Sequence, residues 1–203
     1  MQLTGGNMVK TTKMIREELS SFADPANKVA RMVREGRLTP IIRGLYETEA
    51  TASPWSLAGC IYGPSYISFE SALSFHGLIP EGVRAVTSAT FEKGKAKAYD
   101  TPFGSFLFRD VPAEAFPYGI DVKGPANAPF RIATPEKALC DKLYTMSPVT
   151  SCGGLEALLY DDLRIDRGDL AALDVDDVAF LAEKYRSRNV RRLARYLKEG
   201  SGR

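Results

Sequence analysis

Histidine and tryptophan occur once each in the 203 residues, and cysteine three times. A single histidine excludes a multi-histidine metal centre. A Ser-His-Asp arrangement would have to use His76, and the chain has no Gly-rich nucleophile elbow to go with it. Cys60, Cys140 and Cys152 are an odd set without metal-ligand spacing, expected as reduced thiols in a cytoplasmic protein. No apolar run approaches the ~20 residues that span a bilayer, so no membrane partner is expected. The opening "MQLTGGNMVK" lacks the apolar stretch of a signal peptide. It reads as a flexible tail over residues 1–8, with Met8 as a second possible start. A Walker loop, a dinucleotide fingerprint and an HExxH helix are all missing. No catalytic residue, metal ligand or cofactor is therefore assigned.

What the chain does have is an ordinary globular composition, 44% hydrophobic and 26% charged, with its charge distributed unevenly. Net charge is only +2. Residues 8–47 carry eight basic and five acidic side chains, and residues 184–203 carry eight and one. Between them, residues 156–183 carry two basic and nine acidic side chains. Local basic density marks polyanion contact better than the total does. The acidic and basic C-terminal segments could equally face each other.

The N-terminal basic stretch has an order of elements. Ile15, Leu19 and Phe22 fall at helical spacing. Asp24 then reads as an N-cap, Pro25 as the first helical residue and Gly36 as the terminator. Between them, Ala26, Val29, Ala30 and Val33 form an apolar stripe, with Asn27, Lys28, Arg31 and Arg34 on the other side. Such a front can reach phosphates and base edges; a solvated helix face is the plainer reading. A tight hairpin follows in "RLTPIIRGLYE". Pro40 belongs on an edge or at a bulge, and Arg43-Gly44 is the two-residue turn. Helix, turn, basic helix and hairpin is the order of a short winged helix-turn-helix, placed at residues 9–50. Arg37, Arg43 and Gly44 join the four helix residues as candidate DNA contacts.

Residues 51–65, rich in small residues, Pro and Gly, read as a linker, with Trp55 and Leu57 packing between two domains. The second domain, residues 66–200, is expected to be α+β: a mostly antiparallel sheet with flanking helices. Ser68 to Gly77 reads as a short helix. Strands follow in "KAKAY", "SFLFRDV", "FPYGIDVK" and "FRIA". Thr134-Pro135-Glu136 opens a helix with a good cap and dipole partner. Apolar spacing marks further helices, the last with Arg191, Arg192, Arg195 and Lys198 on its polar side. That side is a candidate antitoxin or polyanion-contact surface.

Three motifs, "REGRLTPIIRGLYE", "YISFESALSFHGLIPE" and "RIATPEKALCDKLY", resemble in that order the AbiEi-type antitoxins of type IV toxin–antitoxin systems. The likeness runs from about residue 10 to residue 200. It implies a winged helix-turn-helix repressor that binds the inverted repeats of its own operator. It also implies a C-terminal domain that counteracts a cognate nucleotidyltransferase-like toxin without a stable complex. The second and third motifs are implied to be scaffold of that domain. Two alternatives stay open. Asp121-x-Lys123 with Asp110 has the form of a Mg²⁺-dependent nuclease site. The last helix, through Arg191, Arg192 and Arg195, could instead bind an acidic toxin surface directly.

Overall fold

A computed structural model describes residues 8–200; the expected tail, apart from Met8, lies outside them. The first described elements are β1 (Val9–Thr11), α1 (Thr12–Glu18), α2 (Pro25–Arg34), β2 (Thr39–Ile42) and β3 (Leu45–Glu47). The strands form an antiparallel sheet in the order β1-β3-β2. Helix starts follow their caps: Thr11 accepts the Met14 N–H at 3.2 Å, and Asp24 accepts the Asn27 N–H at 3.0 Å ahead of Pro25. Gly36, at φ +69°, ends α2 in the conformation that favours glycine.

The inward face of α2 differs from the expected stripe. Val29, Met32 and Val33 pack against Ile15, Leu19 and Leu38, while Ala26 and Ala30 are exposed. The small alanines were read as core, but the bulkier Met32 covers more apolar surface and takes that side.

Residues 51–65, expected as a linker, are largely ordered as a helix. They contain α3 (Pro54–Ile61), which buries Leu57, Ala58 and Ile61 in the large hydrophobic core. Small residues and Pro suggested a loop, but Pro54 sits at the helix start, where its missing N–H costs nothing. The body continues through β4 (Tyr66–Ile67), α4 (Phe69–Phe75), β5 (Ala85–Thr90), β6 (Lys97–Thr101), β7 (Gly104–Asp110), β8 (Ile120–Lys123) and β9 (Phe130–Ala133). Helices then follow: α5 (Pro135–Tyr144), α6 (Cys152–Glu156), a π-helical turn (Ala157–Asp162), α7 (Arg167–Ala171), α8 (Val175–Tyr185) and α9 (Arg188–Gly200).

The fold is mixed α+β. Its second sheet has six strands in the order β6-β7-β5-β4-β9-β8. Pairs β6/β7, β4/β5 and β8/β9 are antiparallel, and β5/β7 and β4/β9 are parallel. The central strand β5 is buried almost throughout, so it shows no alternation. Helix α5 starts as expected, with Thr134 accepting the Lys137 N–H at 3.3 Å. Helix α4 ends at Gly77, φ +76°, with the Leu78 N–H returning to Leu73 O at 2.9 Å. His76 is a packing residue there, its Nε2 at 2.8 Å from Ala133 O.

Candidate nucleic-acid interface

The exposed side of α2 and the β2–β3 turn carry the basic residues singled out in the sequence. Arg31 and Arg34 are exposed on α2, and Arg43 is exposed at the turn. Among the described residues, no carboxylate lies within 4.0 Å of Arg34 or Arg43. Arg31 and Arg37 share Glu35, at 3.5 and 3.8 Å. Both pairs are more than a third exposed, so the ion pairing is weak and exchanges readily for phosphate. Lys28 is half-buried with its ammonium 4.9 Å from the Phe22 ring centre.

Two expected contacts have other duties. The Asn27 amide donates to Asp24 Oδ2 while its backbone N–H meets Oδ1. These bonds hold the Asp24 carboxyl below the usual carboxylate range. Asn27 therefore works in the helix start and not on the open face. Gly44, at φ +85°, supplies the turn, and its carbonyl accepts the Thr12 N–H at 2.9 Å. That bond pins the hairpin tip to the start of α1. Ala26 and Ala30 are exposed and leave the α2 backbone close to the surface on the helix that carries Arg31 and Arg34.

The basic surface on α9 is smaller than expected. Arg192 donates through Nε to Val149 O at 3.1 Å and through a terminal nitrogen to Thr150 O at 2.6 Å. It ties down the loop before α6 and is not available to a partner. Arg191 is exposed and reaches back to Ser187 O at 3.3 Å. Arg195 and Lys198 are exposed.

The nuclease alternative does not assemble. Asp110 lies on β7 and Asp121 with Lys123 on β8, separated by β5, β4 and β9. Neighbouring strands are about 4.8 Å apart, so the two carboxylates cannot share one ion. Asp110 instead accepts from Thr90 Oγ1 and the backbone N–H groups of Lys93 and Gly94 at 2.6–2.8 Å. Asp121 pairs with its neighbour Lys123 at 3.1 Å. No group of three or more His, Cys, Asp or Glu suited to a metal occurs among the described residues.

The two body motifs meet in a buried polar cluster that the sequence did not reveal. Lys137 and Asp141, one helical turn apart on α5, are both fully buried with Nζ and Oδ1 3.1 Å apart. Asp141 also accepts from Tyr66 at 3.0 Å, from Ser68 at 2.6 Å, and from Tyr185, which in turn touches Lys137. Burial, then the Asp141 charge, pushes the Tyr66 and Tyr185 hydroxyls well above their usual range. They stay protonated and donate. Gly119, at φ +64°, admits this helix: a Cβ there would lie 2.8 Å from Lys137 Cβ. Nearby, Glu70 is held by Lys142 at 2.5 Å and Arg109 at 3.4 Å. The Lys137–Asp141 pair is closed to solvent and joins β4, α5 and α8. Its chemistry is that of a structural brace.

No protein-family model matches this chain, and no curated protein matches it.

Proposed function

We propose that the protein is a DNA-binding autorepressor whose C-terminal domain acts as the antitoxin of a type IV toxin–antitoxin system, in the cytoplasm. In this reading residues 9–50 are a winged helix-turn-helix, α2 enters the major groove of an inverted-repeat operator, and the β2–β3 hairpin is the wing. The antitoxin part rests on the resemblance of the three motifs to AbiEi-type antitoxins, with a nucleotidyltransferase-like toxin as functional partner.

The observation that supports the DNA reading best is the pairing of two exposed, carboxylate-free arginines, Arg34 and Arg43, on separate elements of one unit. Exposed Ala26 and Ala30 lower the steric barrier to groove entry on the same helix. Arg31 and Arg37 add charge once Glu35 releases them.

A gel shift with the protein's own promoter across a salt series tests it. Each phosphate contact contributes about 0.9 to the slope of log K against log salt. Arg43→Ala should weaken promoter and random DNA by similar factors and lower the slope by about 0.9. Unchanged affinity and slope in that variant would remove the wing role. Unaltered toxin activity on co-expression would remove the antitoxin role separately.

A further inference from the structure

The large sheet has two edges, and they differ. On one side β2 packs beside β6. On the other, β8 pairs only with β9, and no strand among the described residues covers its outer side. We infer that β8 is a self-association edge: two copies of this chain pair antiparallel through it about a two-fold axis at Val122, making the two six-stranded sheets continuous.

The hydrogen-bond phase supports this. The Thr134 N–H donates to Gly119 O at 2.9 Å, and Ile120 sits opposite Ala133. Bonded pairs in an antiparallel ladder alternate, so residues 119, 121 and 123 bond to β9. The N–H and C=O of Ile120 and Val122 therefore point to the open edge. A second β8 aligned about Val122 takes both free groups of Val122 with both free groups of its copy.

The side chains fit the same register. Antiparallel pairing about Val122 sets Asp121 opposite Lys123 of the partner copy and Lys123 opposite its Asp121. Directly opposite residues share a face with Cβ atoms about 5 Å apart, so the pattern Asp-Val-Lys is complementary to itself. Parallel in-register pairing would set Asp against Asp and Lys against Lys, which is unfavourable. Charges on an exposed edge normally block pairing with arbitrary strands; here they leave one partner, the same sequence reversed. Val122, 68% exposed, is the most exposed large apolar side chain among the described residues. Close by, Phe130 of β9 is half-buried in a ring cluster with Trp55 and the 48%-exposed Phe75, at centroid distances of 5.3–6.2 Å. An isologous contact of this kind is the commonest way a chain closes on itself.

The test needs no DNA or toxin, so its failure leaves the proposed function standing. Light scattering on the full chain should give twice the monomer mass of 22.3 kDa at high concentration. Val122→Pro removes only an outward N–H, which an edge strand tolerates, and should hold the monomer mass with unchanged circular dichroism. Asp121→Lys and Lys123→Asp should each stay monomeric alone. Mixed in equal amounts they should recover the doubled mass, because their charges then complement. The double swap should associate as the unaltered chain does. A wild-type chain that stays monomeric at all concentrations overturns the inference. So does a dimer that Val122→Pro and both single charge variants leave intact.

Discussion

Replacing Asp141 by Asn tests whether the two body motifs serve as a brace. The substitution keeps shape but removes the charge that Lys137 faces at 3.1 Å with no solvent contact. It also replaces one acceptor oxygen of a carboxylate that serves three hydroxyls, those of Tyr66, Ser68 and Tyr185. Breaking a buried ion pair by removing one partner costs about 3–5 kcal/mol, because the remaining charge is stranded. Domains of this kind have about 5–15 kcal/mol in total, so the loss is a large share. With a urea slope near 2 kcal/mol/M, the midpoint should fall by roughly 2 M. Removing both charges while keeping an acceptor oxygen, as Lys137→Met with Asp141→Asn, should cost less than Asp141→Asn alone, since no ion is left unpaired. Equilibrium urea unfolding by circular dichroism measures both. A midpoint shift below about 0.3 M in Asp141→Asn, a small fraction of one slope unit, would refute the reasoning. So would a double variant that is much less stable than the single one.

Four further outcomes follow from the local geometry. Asp24→Ala should lower the thermal unfolding midpoint through loss of the α2 cap. Asn27→Ala should change promoter affinity less than twofold, because its amide is spent on Asp24; a tenfold loss in gel shifts would put Asn27 on the bases. Gly119→Ala should cost more than Gly77→Ala in thermal unfolding. Both have positive φ, worth about 1–2 kcal/mol against a side chain, but only Gly119 also drives a Cβ into Lys137, at 2.8 Å. Equal losses would show that the close approach relaxes freely. Burial raises the Glu70 carboxyl, but the Lys142 hydrogen bond and the Lys142 and Arg109 charges outweigh it and leave it below its usual value of 4.5. Its contribution is therefore complete above about 4.5 and is lost as pH falls through the lower folded value. The urea-midpoint gap between Glu70→Gln and the unaltered chain should be widest well above pH 4.5 and shrink as pH falls below it; a gap that does not shrink in acid would contradict this.

Legibility in the sequence followed locality. Caps and stops such as Asp24-Pro25, Thr134-Pro135 and Gly77 are set by atoms within four residues, and they stand where the sequence put them. The Arg43-Gly44 turn is local in the same way. The π-helical turn leaves no mark in the sequence, because Leu155, Leu158 and Leu159 keep helical spacing through it. Strand β4 was hidden because "YI" runs straight into α4 and is buried on all sides, so neither period shows. The brace was hidden for a different reason. Lys137 and Asp141 look like a routine surface pair at i, i+4. Only the arrival of Tyr66 from β4, of Ser68 at the start of α4, and of Tyr185 from α8 seals them, and those contacts span 44–75 residues of sequence.

The same distinction explains why the hairpin is more than a projecting loop. Leu38 packs with α1 and α2, whereas Ile41, Ile42 and Leu45 belong to the core of the body. Strict alternation would put Leu38 and Ile42 on one face. The register irregularity between Pro40 and Ile42 inserts one extra residue and reverses the parity. The hairpin, through Leu38 just before β2 and Tyr46 on β3 on one side and Ile41, Ile42 and Leu45 on the other, thereby contributes to two cores at once, and the small sheet is clamped between the helices and the body. Glu47, fully buried, closes the junction by accepting the N–H groups of Met8, Thr48 and Glu49 through one oxygen at 2.8–3.0 Å. A mobile tether would let the basic face reorient independently of the body. This clamp fixes Arg43, and with it the face that carries Arg34, relative to the body.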